Sequence, residues 1–74
     1  MINELDVVAL TKDLPDEALS RGDVGTVVHV HGACEAFEVE FVALDGETIA
    51  LLTLPAEAVR PIRPREIANV REVA

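Results

Sequence analysis

In AFEVEFV, residues 36–42, Phe37, Val39 and Phe41 alternate with Glu38 and Glu40. Strict two-residue alternation predicts a strand with one face on a core and the other in water. The run Leu5-Asp6-Val7-Val8-Ala9-Leu10 is apolar on both parities, which predicts a strand twisting between two surfaces. Residues 11–22 are polar and interrupted by Pro15, and they predict a long, folded-over loop. One helical turn is expected within it at residues 15–19, with Asp13 as its cap and Leu14 and Leu19 pinning the loop to the core. RGDVGTVVHVHG, residues 21–32, predicts a bent strand. Gly22 can take a positive φ in the turn, while Gly25 inside the strand permits a bulge or the close crossing of another strand. Val24, Val28 and Val30 share one parity and Val27 the other, the pattern left when a bulge re-aims a chain.

Residues 31–35 read as a hairpin turn, and Asp45-Gly46 is a second hairpin signal. Residues 48–54 predict a strand that is apolar on both sides, with Ile49 and Leu51 opposing Ala50, Leu52 and Leu54. A helical turn is expected at residues 55–58, opening on Pro55. Val59-Arg60-Pro61-Ile62 then reads as a short edge strand whose pairing Pro61 limits. Beyond it, Ile67, Val70 and Val73 recur every third residue among charges. That spacing describes a tail, residues 63–74, that is flexible or docks as a short helix, since so short a helix is not stable alone in water.

The order of these elements, with its G-x-x-G-x-V bend and single helical turn before the last strand, resembles a small five-stranded SH3-like barrel of KOW type. The expected class is therefore all-β, with the barrel in residues 1–62. Four segments carry a narrower likeness: "LDVVALTKDLP", "RGDVGTVV", "FEVEF" at residues 37–41, and "LLTL" ahead of "VRP". Through them residues 5–61 resemble a family of small bacterial proteins catalogued as domain of unknown function number 4926. The likeness implies the barrel and a bacterial origin; it carries no catalytic residue and leaves the tail outside its pattern.

Size and charge narrow the function. A 74-residue chain buries only about 60% of the surface its unfolded form exposes, so the core is small and a partner or second copy would add stability. Cys34 is the only cysteine, which rules out an internal disulfide and suits a reducing compartment. No run approaches the roughly 18 apolar residues of a membrane span, and Glu4 and Asp6 depart from the basic start of a signal peptide. The expected setting is the cytoplasm. Residues 1–59 hold twelve acids against Lys12 and Arg21, a net of −10, while residues 60–74 hold four arginines against Glu66 and Glu72, a net of +2. With only Phe37 and Phe41 as aromatics, the chain lacks both the charge and the stacking surface of a nucleic-acid binder.

Candidate chemistry is sparse. His29 and His31 sit two apart on a strand and point the same way, so both could reach one metal ion with Cys34 joining from the turn. H-x-H is a common accident, and surface histidines are the simpler reading. Nucleophilic catalysis requires a base beside an activated Ser or Cys and a group that orients the base; neither Ser20 nor Cys34 shows that set. "RGDVG" lacks the lysine and length of a phosphate-binding loop. The expectation is therefore a non-enzyme that needs no cofactor: an acidic protein-interaction module that restrains a larger basic partner, such as a toxin or nuclease, or that forms a homodimer. Its expected surface is Ile49 and Leu51 on the doubly apolar strand, Glu38 and Glu40 on the acidic face, and Ile67 and Val70 on the tail. Two alternatives stay open, a KOW-like nucleic-acid or ribosome-associated module and a metal-binding module through His29, His31 and Cys34. Gly22, Gly25 and Gly46 are assigned to the backbone turns.

Overall fold

The structure, a computed structural model, describes residues 1–73. Five strands form one antiparallel sheet: β1 (Val7–Leu10), β2 (Val24–His31), β3 (Ala36–Val42), β4 (Thr48–Pro55) and β5 (Val59–Pro61), in the spatial order β4-β3-β2-β1-β5. Single 3₁₀ turns lie at Pro15–Glu17 and Ala56–Ala58. The all-β class, the five strands and the helical turn before the last of them are as expected. β4 and β5 are the two edges of the sheet. All five strands send side chains into one core of Val8, Leu10, Val27, Phe37, Val39, Phe41, Leu54 and Val59, so the sheet curls around that core.

β2 makes the curl possible. It pairs with β1 through Val24, Gly25 and Thr26, bonds through Val27 to Asp6 and Leu5 just ahead of β1, and pairs with β3 from Thr26 onward, so its two sides overlap only at Thr26 and Val27. Gly25 lies opposite buried Val8 and therefore faces the core. A Cβ there would stand 2.6 Å from Val39 Cγ1, 2.9 Å from Phe41 Cε1 and 3.0 Å from the Glu40 carbonyl oxygen. Glycine is thus required by close approach, and of the two roles sequence allowed it, crossing rather than bulging is the one it plays. The bulge sits three residues later. Val27 pairs with Val39 and His29 with Glu38, which leaves Val28 unpaired. That extra residue lets Val27 and Val30 both face inward while His29 and His31 face out.

β3 alternates as the pattern predicts, with Phe37, Val39 and Phe41 buried. Opposite them Leu54, Leu52 and Ala50 of β4 take the core side. A second bulge changes the expected face of β4: Phe41 pairs with Ala50 and Val42 with Thr48, so Ile49 has no partner and turns to pack against the core. Ile49 and Leu51 do not share a face. Leu51 is left outside, 57% exposed, between Glu40 and Thr53.

The long loop is folded over as expected, closed by a bridge between Leu14 and Leu19, of which Leu19 is buried. Asp13 does not cap its turn, because the residue at the capping position is Leu14 and no side chain fills that role. The Asp13 carboxylate accepts instead from the Arg21 backbone N–H at 2.8 Å. Thr11 ties the start of the loop to the second 3₁₀ turn, its hydroxyl donating to the Glu57 carbonyl at 2.7 Å and its N–H to that of Ala58 at 2.9 Å. Residues 62–73 contain neither helix nor strand. Two ion pairs hold them instead, described below.

Gly25→Ala should destabilise the domain by about 1–3 kcal/mol, the cost of overpacking a filled core. Combining it with Val39→Ala should give a smaller loss than the sum of the two single changes, because the closest clash is with the Val39 side chain. Urea denaturation of the four proteins measures this, and additive losses would show that the close approach is not what holds Gly25.

Candidate functional site

The outer face of β2, β3 and β4 is polar and cross-linked. The Thr53 hydroxyl donates to Glu38 Oε1 at 3.0 Å and the Thr48 hydroxyl to Glu40 Oε2 at 2.9 Å. Leu51 is an apolar island among them. His29 and His31 stand side by side with ring centroids 4.6 Å apart, edge to face. Each looks at a carboxylate: His29 Nδ1 lies 3.7 Å from Glu4 Oε2, and His31 Nε2 lies 3.6 Å from Glu38 Oε1 without a hydrogen bond. Strand geometry thus brings the two imidazoles together. It does not bring Cys34 to them, for that thiol is half-buried, packs against the core and donates weakly to the Ile2 carbonyl at 3.9 Å. Among the described residues, no three His, Cys, Asp or Glu side chains are placed to hold one ion. A thiol bonded to a carbonyl also has no base to activate it.

Most of the exposed apolar surface lies elsewhere, around one groove of about 1130 Å³ between the sheet and the C-terminal segment. On its sheet side are Val7 of β1, Val24 of β2, Val42 of β3 and Leu44 of the following turn; on its other side are Ile62, Ile67 and Val70. Of these the tail positions Ile67 and Val70 belong to the expected surface, at 94% and 78% exposure. Ile49 lines the groove too, reached through its bulge. Ala9 lies on the floor, facing away from Val8 and Leu10, yet is only 2% exposed.

The tail arches over this groove with Ile67 and Val70 exposed and Val73 half-buried against it, and arginine latches it at each end. The Arg60 guanidinium pairs in parallel with both oxygens of Glu66, at 2.8 Å on one side, and Glu66 Oε1 also accepts from the Arg63 N–H at 2.7 Å. These contacts pull the Glu66 carboxyl from 4.5 down to about 2. At the far end, Arg71 grips both oxygens of Asp23 and donates to the Ala18 carbonyl at 3.2 Å. Burial acts to raise the Asp23 carboxyl, but hydrogen bonds from Arg71 and the Ser20 N–H, with the Arg71 charge, outweigh it and hold the group below its ordinary value. The sequence alone does not pair these residues. Their trace in sequence was the net +2 of the tail against −10 for the body.

A second, smaller opening of about 410 Å³ separates the loop at Lys12–Glu17 from Leu52, Thr53 and Leu54 of β4. No backbone hydrogen bond crosses it among the described residues.

The chain belongs to the family described as Domain of unknown function (DUF4926), whose model matches residues 4–61. That span takes in all five strands and stops short of the tail. No curated protein and no solved structure matches the chain. Among the described residues, no helix is long and apolar enough to cross a membrane.

Because Glu66 and Asp23 both have lowered pKa values in the folded chain, the stabilisation from each latch is full at neutral pH and is lost in acid, for Glu66 as pH falls from 4.5 to about 2 and for Asp23 as pH falls below its ordinary carboxylate value. Tryptic cleavage after Arg65 and Arg71 should therefore be slow at neutral pH and low salt and several-fold faster in 0.5 M salt, where exposed pairs are screened. Asp23→Asn should reproduce the salt effect at low salt. Equal cleavage rates in wild type and variant would show that the ion pair does not hold the tail.

Proposed function

We propose that this member of the family is a non-enzymatic protein-interaction module that works through the groove under its C-terminal segment. One observation carries the reading. The large exposed apolar side chains are gathered around a single groove on a domain with a net charge of −8, leaving Met1, Leu5, Val28 and Leu51 elsewhere. Concentrated apolar surface on a small domain marks a contact site. Asp45, Glu47 and Glu72 edge the same groove without ion-pair partners among the described residues, against Arg21 alone. An apolar floor with an acidic rim favours a basic, amphipathic protein surface, such as that of a toxin or nuclease held in check by a small companion.

The nucleic-acid alternative loses support from the arginines. Arg60 and Arg71, half of the four bases in residues 60–74, are already paired with carboxylates, which leaves little to neutralise phosphates.

Tagged full-length protein should recover a defined basic partner from native lysate at low salt, and Val24→Glu with Ile67→Glu should abolish that recovery, both positions being exposed enough to spare the fold. No stable partner, or equal recovery by the variant, would contradict the reading. A gel shift with mixed RNA and DNA at low ionic strength should show no band, whereas a shift that weakens steeply with salt would favour the nucleic-acid class.

A further inference from the structure

We propose that the outer edge of β4 is a second, independent docking site, which takes an extended basic segment of another protein as a sixth strand. The two edges of this sheet are built differently. β5 is three residues long, contains Pro61 with no N–H to offer, and has Arg60 tied to Glu66 beside it. Those are features that blunt an edge. β4 runs for eight residues, TIALLTLP, without a charge and with its only proline at the last position. Beyond the bulge at Ile49, residues 50–54 offer outward backbone donors and acceptors to which nothing bonds among the described residues, the template on which another strand adds.

The surroundings select the occupant. An added strand would place alternate side chains on opposite faces. One set would lie beside Ala50 and Leu52, half-buried on the core side, and should be apolar. The other would lie beside exposed Leu51 and Thr53, with Glu38 and Glu40 one strand further in. Across the narrow opening stand Asp13, Asp16 and Glu17, with Lys12 as the sole base. Lysines or arginines on that second set meet Glu38 and Glu40, and the loop acids add negative charge across the opening. A second copy pairing through the same edge would set one uncharged strand against another, leave these carboxylates without a cation, and bring together two chains of net charge −8. The fitting segment is therefore about seven residues alternating apolar and basic side chains. It uses neither the groove nor the tail.

The probe is an eight-residue peptide alternating valine and lysine, compared with its isomer in which the valines and lysines form two blocks. Calorimetry on the full chain should show one site, with the alternating peptide bound at least tenfold more tightly, and amide resonances of residues 48–54 should shift on binding. Leu51→Lys with Thr53→Lys, both exposed positions, should weaken it tenfold or more, while Val24→Glu in the groove should leave it unchanged. Equal affinity for the two isomers, shifts that spare β4, or a dimer of the chain paired edge to edge through β4 without peptide would each overturn the proposal.

Discussion

The shape of this domain depends on one close approach, that of the β2 backbone at Gly25 to Val39 and Phe41. β2 has to leave the β1 side and join β3 within about two residues, Thr26 and Val27, and it can do so only if the chain passes directly under two core side chains. With a side chain at that point the two halves of the sheet would stand apart and the core between them would open. The unpaired Val28 completes the manoeuvre by keeping Val27 and Val30 on the inside after the turn. A core built around two phenylalanines and a set of branched aliphatics then suffices, because the sheet is folded onto it from both sides.

What such a sheet cannot do is cover everything. A chain this small has too little interior for its apolar content, and the surplus appears at two places with different character. Around the groove the surplus is side chains, bridged by a tail that two ion pairs hold and of which only Val73 is half-buried. At β4 it is backbone: a neutral edge that faces the Lys12–Glu17 loop across an opening and makes no backbone hydrogen bond to it. An acidic body surrounds both. The net charge of −8 is what makes a basic counterpart the proposed occupant of both places. Latching the tail with arginine–carboxylate pairs keeps apolar groups near the groove without committing them to it, because exposed ion pairs are weak and exchangeable.

Much of the architecture was legible in the chain. The alternation of Phe37, Val39 and Phe41 with glutamates placed β3, Asp45-Gly46 placed the turn to β4, and the glycines marked where β2 bends. The bulges were not legible in position. A bulge is a mismatch between two strands, and periodicity within one strand cannot say which residue is left over; so Val28 took the role considered for Gly25, and Ile49 turned inward away from Leu51. The candidate site was legible in part. Ile67 and Val70 were visible as a pattern, but Val7, Val24, Val42 and Leu44 come together only through pairing of distant segments, and each alone looks like an ordinary strand or turn residue. The pairs Asp23–Arg71 and Arg60–Glu66 left only a regional imbalance of charge. His29, His31 and Cys34 show the opposite case, a suggestive spacing in which strand geometry delivers the two imidazoles and the turn carries the thiol away.

Residue-resolved amide hydrogen exchange on the full chain tests the central claim, that one curled sheet with a tight β2 crossing leaves an open edge at β4. The account predicts the slowest exchange in β2 and β3, with protection alternating residue by residue along β4, since every second amide of an antiparallel edge strand points away from its neighbour. Uniform protection along β4, or fast exchange at residues 24–27 with slow exchange elsewhere, would contradict it.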